Sequence, residues 1–184
     1  MVFAPDTETS LTGVVALINT AEPEALVDVE SLDEFCTLQR WSGSRTHDRA
    51  ELAAVRRLRP ALRQLWSSDQ DGAVAIVNGL LRRARALPQL VRHDEWAYHL
   101  HATSPDAPLA TRMAVEAAMA FVDVIRSGEL DRLFVCAAPD CSNVGIDLSR
   151  NRSKRFCDAG CGNRMAVAAY RARRASDAEA TGSV

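Results

Sequence analysis

What the chain lacks narrows its class before any motif is read. Across its 184 residues no apolar run reaches the roughly 18 residues that a membrane span needs, so no membrane segment is expected. The opening residues, Met1-Val2-Phe3-Ala4-Pro5-Asp6, place no basic segment ahead of a long apolar one. No secretory signal is read there, and a cytoplasmic protein is the expectation. Aromatic residues make up only 5% of the chain, and no basic stretch is interleaved with them to form a base-stacking platform. Nucleophile elbows, phosphate loops and dinucleotide fingerprints are missing, so no enzyme is expected. Internal repeats are missing too. Cysteine is sparse over most of the length: Cys36 stands alone, read as a small core residue, before Cys136, Cys141, Cys157 and Cys161 crowd together.

What is present is an ordinary globular composition, 47% hydrophobic and 25% charged. The formal net charge of −2 conceals an asymmetry. Between Ser142 and Arg174 stand Arg150, Arg152, Lys154, Arg155, Arg164, Arg171, Arg173 and Arg174, opposed only by Asp147 and Asp158. That stretch carries +6 and the remainder −8. A basic end on an acidic body is a candidate site for a polyanion. The competing reading is that the acidic body itself holds the basic segment, so that these arginines only pair internally.

Hydrophobic spacing predicts a mostly helical body. Leu11, Val14, Val15 and Ile18 mark a helix from about Leu11 to Asn19, with Ser10 as cap. Ser31 and Glu34 read as a capping box for a short helix that Trp41-Ser42-Gly43-Ser44 ends. His47 to Trp66 repeats at helical spacing, with Pro60 expected to kink or split it. Further helices are predicted from Gly72 to Leu87 and from Asp106 to about Ser127. Between them Trp96, Tyr98 and Leu100 alternate as a strand, with Leu90-Val91-Arg92 as hairpin partner. Leu133-Phe134-Val135 reads as a strand delivering the chain to the first cysteine pair, and a last helix runs from Cys161 to about Arg174.

The cysteines follow Cys136-x4-Cys141-x15-Cys157-x3-Cys161. Two close pairs separated by a longer loop can complete a tetrahedral thiolate shell, which closes the site against catalysis and marks one structural Zn2+. An iron–sulfur cluster on the same ligands ranks lower. Pro139-Asp140 and Gly160 supply the turns. The expected fold is therefore an α-helical body with one β-hairpin, plus a small C-terminal treble-clef-like zinc finger. The domains read as body 1–131, finger 132–175 and a frayed tail 176–184.

Here the residues resemble a known family. Cys161-Gly162-Asn163-Arg164 spells the motif of the CGNR zinc fingers, and Asp147-Leu148-Ser149-Arg150-Asn151 through Arg155-Phe156-Cys157 resembles their approach to it. Ala169-Tyr170-Arg171-Ala172-Arg173 is similar to their tail. Ile18-Asn19-Thr20, Trp41 and Leu58-Arg59-Pro60-Ala61-Leu62-Arg63 resemble the ABATE-type domain that precedes such fingers. The resemblance implies a zinc-containing bacterial protein, described as a stress-related transcription regulator. Two departures stand out. The second cysteine pair has a three-residue gap where many members have four. Val15-Ala16-Leu17 lacks the acid that commonly precedes asparagine-threonine, so no role of that acid is carried over.

On this reading Arg150, Arg152, Lys154 and Arg155 of the loop, with Arg171 and Arg174 of the last helix, face DNA phosphates. Asn163 and Arg164 are the candidates for base contacts. Only one finger is present, so a homodimer is expected to enlarge the interface. Asn19, Thr20 and Trp41 are the candidate pocket for a small-molecule effector, against the plainer reading that they end a helix and edge the core. His93, His99 and His101 read as the solvated face of a hairpin. The runner-up function is a protein-interaction module with a purely structural zinc site; an enzyme using a pocket in the body is a distant third.

Overall fold

The computed structural model describes residues 2–92 and 98–181, with side chains described as far as Ala175. Its first helix, α1 (Pro5–Asn19), starts well before Ser10. Pro5 suits a first helical turn because its missing N–H has no partner to lose there. Glu8 reaches back to accept from the N–H groups of Val2 and Phe3. Helix α2 (Val29–Leu38) is capped one turn earlier than Ser31-Glu34 suggests. The Asp28 carboxylate accepts from the Ser31 N–H while the Ser31 hydroxyl accepts from the Asp28 N–H, so Ser31 is the third helical residue and not the cap.

Helix α3 (Arg49–Arg63) is capped by Asp48 and runs through Pro60 into a 3-10 turn, Gln64–Trp66. Pro60 lies in the last turn, where it removes a single backbone bond and leaves the helix continuous. Helix α4 (Gln70–Ala84) is capped by Asp69 and closed by Arg85 in the left-handed region. Strands β1 (Gln89–Val91) and β2 (His99–His101) then form an antiparallel hairpin in which Leu90 faces Leu100. The predicted strand is displaced towards His101, and His93, Trp96 and the tip of the hairpin lie outside the described residues.

Helix α5 (Leu109–Arg126) is the centre of the body, packed on α1, α3 and α4. Its Met113, Ala117, Phe121 and Val124 are buried, and Trp66 meets Phe121 edge to face at 5.5 Å. Arg112 of this helix is buried without a carboxylate ion partner among the described residues. Its guanidinium instead donates to the carbonyls of Ala107, Ser42 and Ser44, strapping two loops together. Gly43, at φ 89°, is required in that strap, because a Cβ there would stand 2.7 Å from both Arg112 and the Pro105 carbonyl.

A second hairpin follows, β3 (Leu133–Val135) with β4 (Val144–Ile146). The β3 segment is the strand expected before Cys136; its partner β4 carries a Gly145 that interrupts any alternating signal. Val144 and Ile146 are buried in the same core as α1 and α5. The last helix, α6 (Cys161–Thr181), continues past the Arg174 at which the sequence pattern stops. Among the described residues no helix is long and apolar enough to cross a membrane.

Candidate metal centre and basic surface

The β3–β4 bend carries the first cysteine pair, and the first residue of α6 is the last ligand. Within the bend Cys136 donates its N–H to the Asn143 carbonyl at 2.8 Å, and Cys141 donates to the Ala138 carbonyl at 3.1 Å. Those bonds turn both sulfurs inward. All four Sγ atoms lie within 4.8 Å of one another, with Cys141 to Cys157 at 3.7 Å and Cys157 to Cys161 at 3.6 Å. A zinc tetrahedron with bonds of about 2.3 Å has edges of about 3.8 Å, so the cluster fits one zinc ion. Cys136, Cys157 and Cys161 are buried and Cys141 is half-buried, which leaves no open coordination position among them.

Electrostatics favour the same occupant. Burial works to raise the Cys136 thiol, but the N–H groups of Cys157 and Ala138 and the neighbouring thiols bring it down to about 7. At Cys141 the Asn143 N–H works to lower the pKa, and burial and crowding by the other thiols push it up to about 12. Four thiols this close cannot all ionise together without a cation between them. A zinc ion supplies that cation, and the surrounding donors offset the charge the thiolates bring. The Arg164 guanidinium lies 3.3 Å from the Cys161 sulfur, the Asn143 amide lies 3.6 Å from Cys157, and the Cys157 N–H points at Cys136 from 3.4 Å.

The structure divides the basic residues into two groups. Arg164 pairs with Asp140 in the first knuckle, not with Asp147, and together with its Cys161 contact this ties helix to knuckle. Arg152 reaches Glu129 at 2.7 Å and Asp131 at 2.5 Å, and Lys154 pairs with Asp158. Arg150, Arg155, Arg171, Arg173 and Arg174 are exposed and have no ionic partner among the described residues. Asn163 is exposed in the first turn of α6.

Asp147 has a different task. It is 4% exposed and accepts from the N–H groups of Ser149 and Lys154 at 2.8 and 2.6 Å, folding the basic loop around itself. Arg132 is buried beneath, donating to the carbonyls of Asp147 and Ser149. In the sequence Asp147 is only a letter of the finger motif and Asp140 only a turn former, and no spacing or motif marks Arg132.

The three pocket candidates do not converge. Asn19 uses both ends of its amide on one residue, donating to the Val144 carbonyl and accepting from the Val144 N–H, each at 2.9 Å. It therefore joins α1 to β4 as a strand would. Thr20 donates to the Leu17 carbonyl and accepts from Arg59, which in turn pairs with Glu24 at 2.5 Å. Of the three, only Trp41 borders a groove of about 920 Å3 between α1, β2 and α5. Its indole N–H is buried with no hydrogen-bond partner among the described residues. His99 and His101 line this groove half-buried, with their Nε2 atoms 2.9 Å apart, and are not simply a solvated face. Leu148, from the basic loop, borders it too.

A helical body whose core receives the hairpin of a four-cysteine finger is thus the class of protein that fold and site define. The chain belongs to the ABATE family, described as "putative stress-induced transcription regulator", whose model matches residues 13–128. The CGNR zinc finger matches residues 132–174, directly following it. No curated protein matches the chain.

Proposed function

We propose that the protein is a transcription regulator that binds DNA through its finger, residues 132–175, while the body, residues 1–131, senses an effector or self-associates. The observation that carries this reading is the state of α6. Every residue from Ala166 to Ala175 is exposed, and this free length presents Arg171, Arg173 and Arg174 without an ionic partner among the described residues. Unpaired guanidinium groups on a helix clear of the body suit phosphate and groove contacts. Arg150 and Arg155 extend the same charge onto the loop that α6 follows. A homodimer would double an interface that is small for one module, roughly 600–1,000 Å2. A small molecule in the groove beside Trp41 would reach the basic loop through Leu148. Both matched families are of regulator or zinc-finger type, and no reaction is proposed. A cytoplasmic location belongs to the same reading.

One observation favours the interaction-module alternative: Arg152 is already held by Glu129 and Asp131. With Lys154 held by Asp158 and Arg164 by Asp140, three of the eight cations are paired and five have no ionic partner among the described residues, so DNA remains the stronger reading. Binding of the zinc-loaded chain to random duplex DNA, followed by fluorescence anisotropy at two salt concentrations, tests it. The affinity should fall steeply with salt, and each arginine lost from the contact set should lower the log–log slope by about 1. Arg171→Ala with Arg174→Ala should weaken binding, and Cys157→Ser should abolish it. A zinc-loaded chain that binds no duplex at low salt overturns the reading in favour of the interaction module.

A further inference from the structure

Resting on that reading, the exposed length of α6 holds more detail than its charge. Asn163, Val167, Tyr170, Arg171 and Arg174 are spaced i, i+4, i+7, i+8 and i+11, so they form one stripe along the helix. Val167 and Tyr170 are 41% and 54% exposed, two sizeable apolar groups beside arginines that have no ionic partner among the described residues. The opposite side of α6 is built from Met165, Ala168, Ala169 and Ala172. Met165 packs against the cysteine cluster, which sets the roll of the helix about its axis and turns the stripe away from the zinc site.

We infer that this stripe reads base edges in the major groove of duplex DNA, with Arg150 and Arg155 holding the flanking phosphates. The dimensions agree. Asn163 to Arg174 spans about 16 Å of helix, and a helix about 10–12 Å across enters a major groove about 12 Å wide. Since every residue of α6 from Ala166 to Ala175 is exposed, this length of the helix is accessible to a groove. Arg171 and Arg174 have the geometry for bidentate contact with guanine O6 and N7, and the Val167 methyls suit the thymine methyl. The preferred site should therefore contain guanine and thymine. Arg164 is excluded from the reading set because Asp140 and the Cys161 sulfur occupy it. Asn163 is thus the one CGNR residue in the stripe, and Val167, Tyr170, Arg171 and Arg174 fall one to three turns further along the helix.

The experiment is selection of bound sites from a pool of random duplexes, using the full zinc-loaded chain and three variants of confirmed zinc content and helicity. Wild type should enrich one short site. Arg171→Ala should lose preference for a guanine in that site by about tenfold, and Val167→Ala should relax a thymine position. Arg150→Ala with Arg155→Ala should weaken every sequence alike and leave the selected site unchanged. Two results overturn the inference while leaving DNA binding intact: duplex binding with no enriched site, or the same site selected by wild type and the α6 variants. A chain that binds no duplex overturns the inference together with the reading beneath it.

Discussion

Asp147 shows how a motif residue acts through its neighbours. Burial works to raise its pKa, but the hydroxyl and N–H of Ser149, the Lys154 N–H and the nearby Arg132 hold it below the usual carboxylate range. A carboxyl whose pKa is depressed by folding stabilises the fold at pH values above its unfolded value, about 3.9, and loses that contribution as pH falls through the folded one. Asp147→Asn retains one acceptor and turns a donor towards a backbone N–H. It should cost about 1–3 kcal/mol at neutral pH. In urea unfolding across a pH series, the gap between wild type and variant should shrink below about pH 4. A gap that stays constant into acid would remove the charge from this account. The same scale shows how letters of the finger motif acquire structural partners. Arg164 and Asp147 are both polar and close in sequence to zinc ligands, yet each is claimed by a partner, Asp140 and the loop N–H groups, that spacing alone did not single out.

At the scale of elements, α6 is the clearest case of a helix held by one end. Among its described side chains, those near its start, Cys161 and Met165, pack in the cysteine cluster and those from Ala166 to Ala175 are exposed, and a helix of this kind pays a nucleation penalty that packing does not offset. Zinc fixes Cys161 beside Cys157 and so orders the first turn from which the rest propagates. Chelating the metal should therefore melt α6 while the body helices persist. Far-UV circular dichroism should lose roughly the share contributed by α6, and near-UV signals from Trp41 and Trp66 should change little. An unchanged far-UV spectrum after complete zinc removal would show that α6 does not depend on the site. Element boundaries were the least legible part of the sequence. Pro5 and Asp28 each shifted a start because a helix terminus depends on a few hydrogen bonds, whereas the buried Leu11, Val14 and Ile18 of α1 were readable from spacing.

Over the whole molecule, body and finger share a core. Val144 and Ile146 lie against α1, Trp66 donates to the Gly145 carbonyl at 2.8 Å, and Asn19 pairs with Val144 through both ends of its amide. Asn19→Ala leaves the Val144 N–H and carbonyl without partners, and should cost about 1–3 kcal/mol in chemical unfolding. Zinc content should stay at one per chain, because no ligand moves, and a variant that lost zinc in step with stability would show the joint to be part of the metal site. The sequence by itself determined the helical class, the four ligands, the family and the charge division, since these depend on residue type and on short, regular spacings. Only the tertiary structure decided which arginines remain available, that Asn19 is a joint and Trp41 a groove wall, and that α6 stands clear of the body. Each of those outcomes rests on a contact between residues far apart in the chain, such as Asn19 with Val144 or Arg164 with Asp140, and no local pattern encodes which distant partner will arrive.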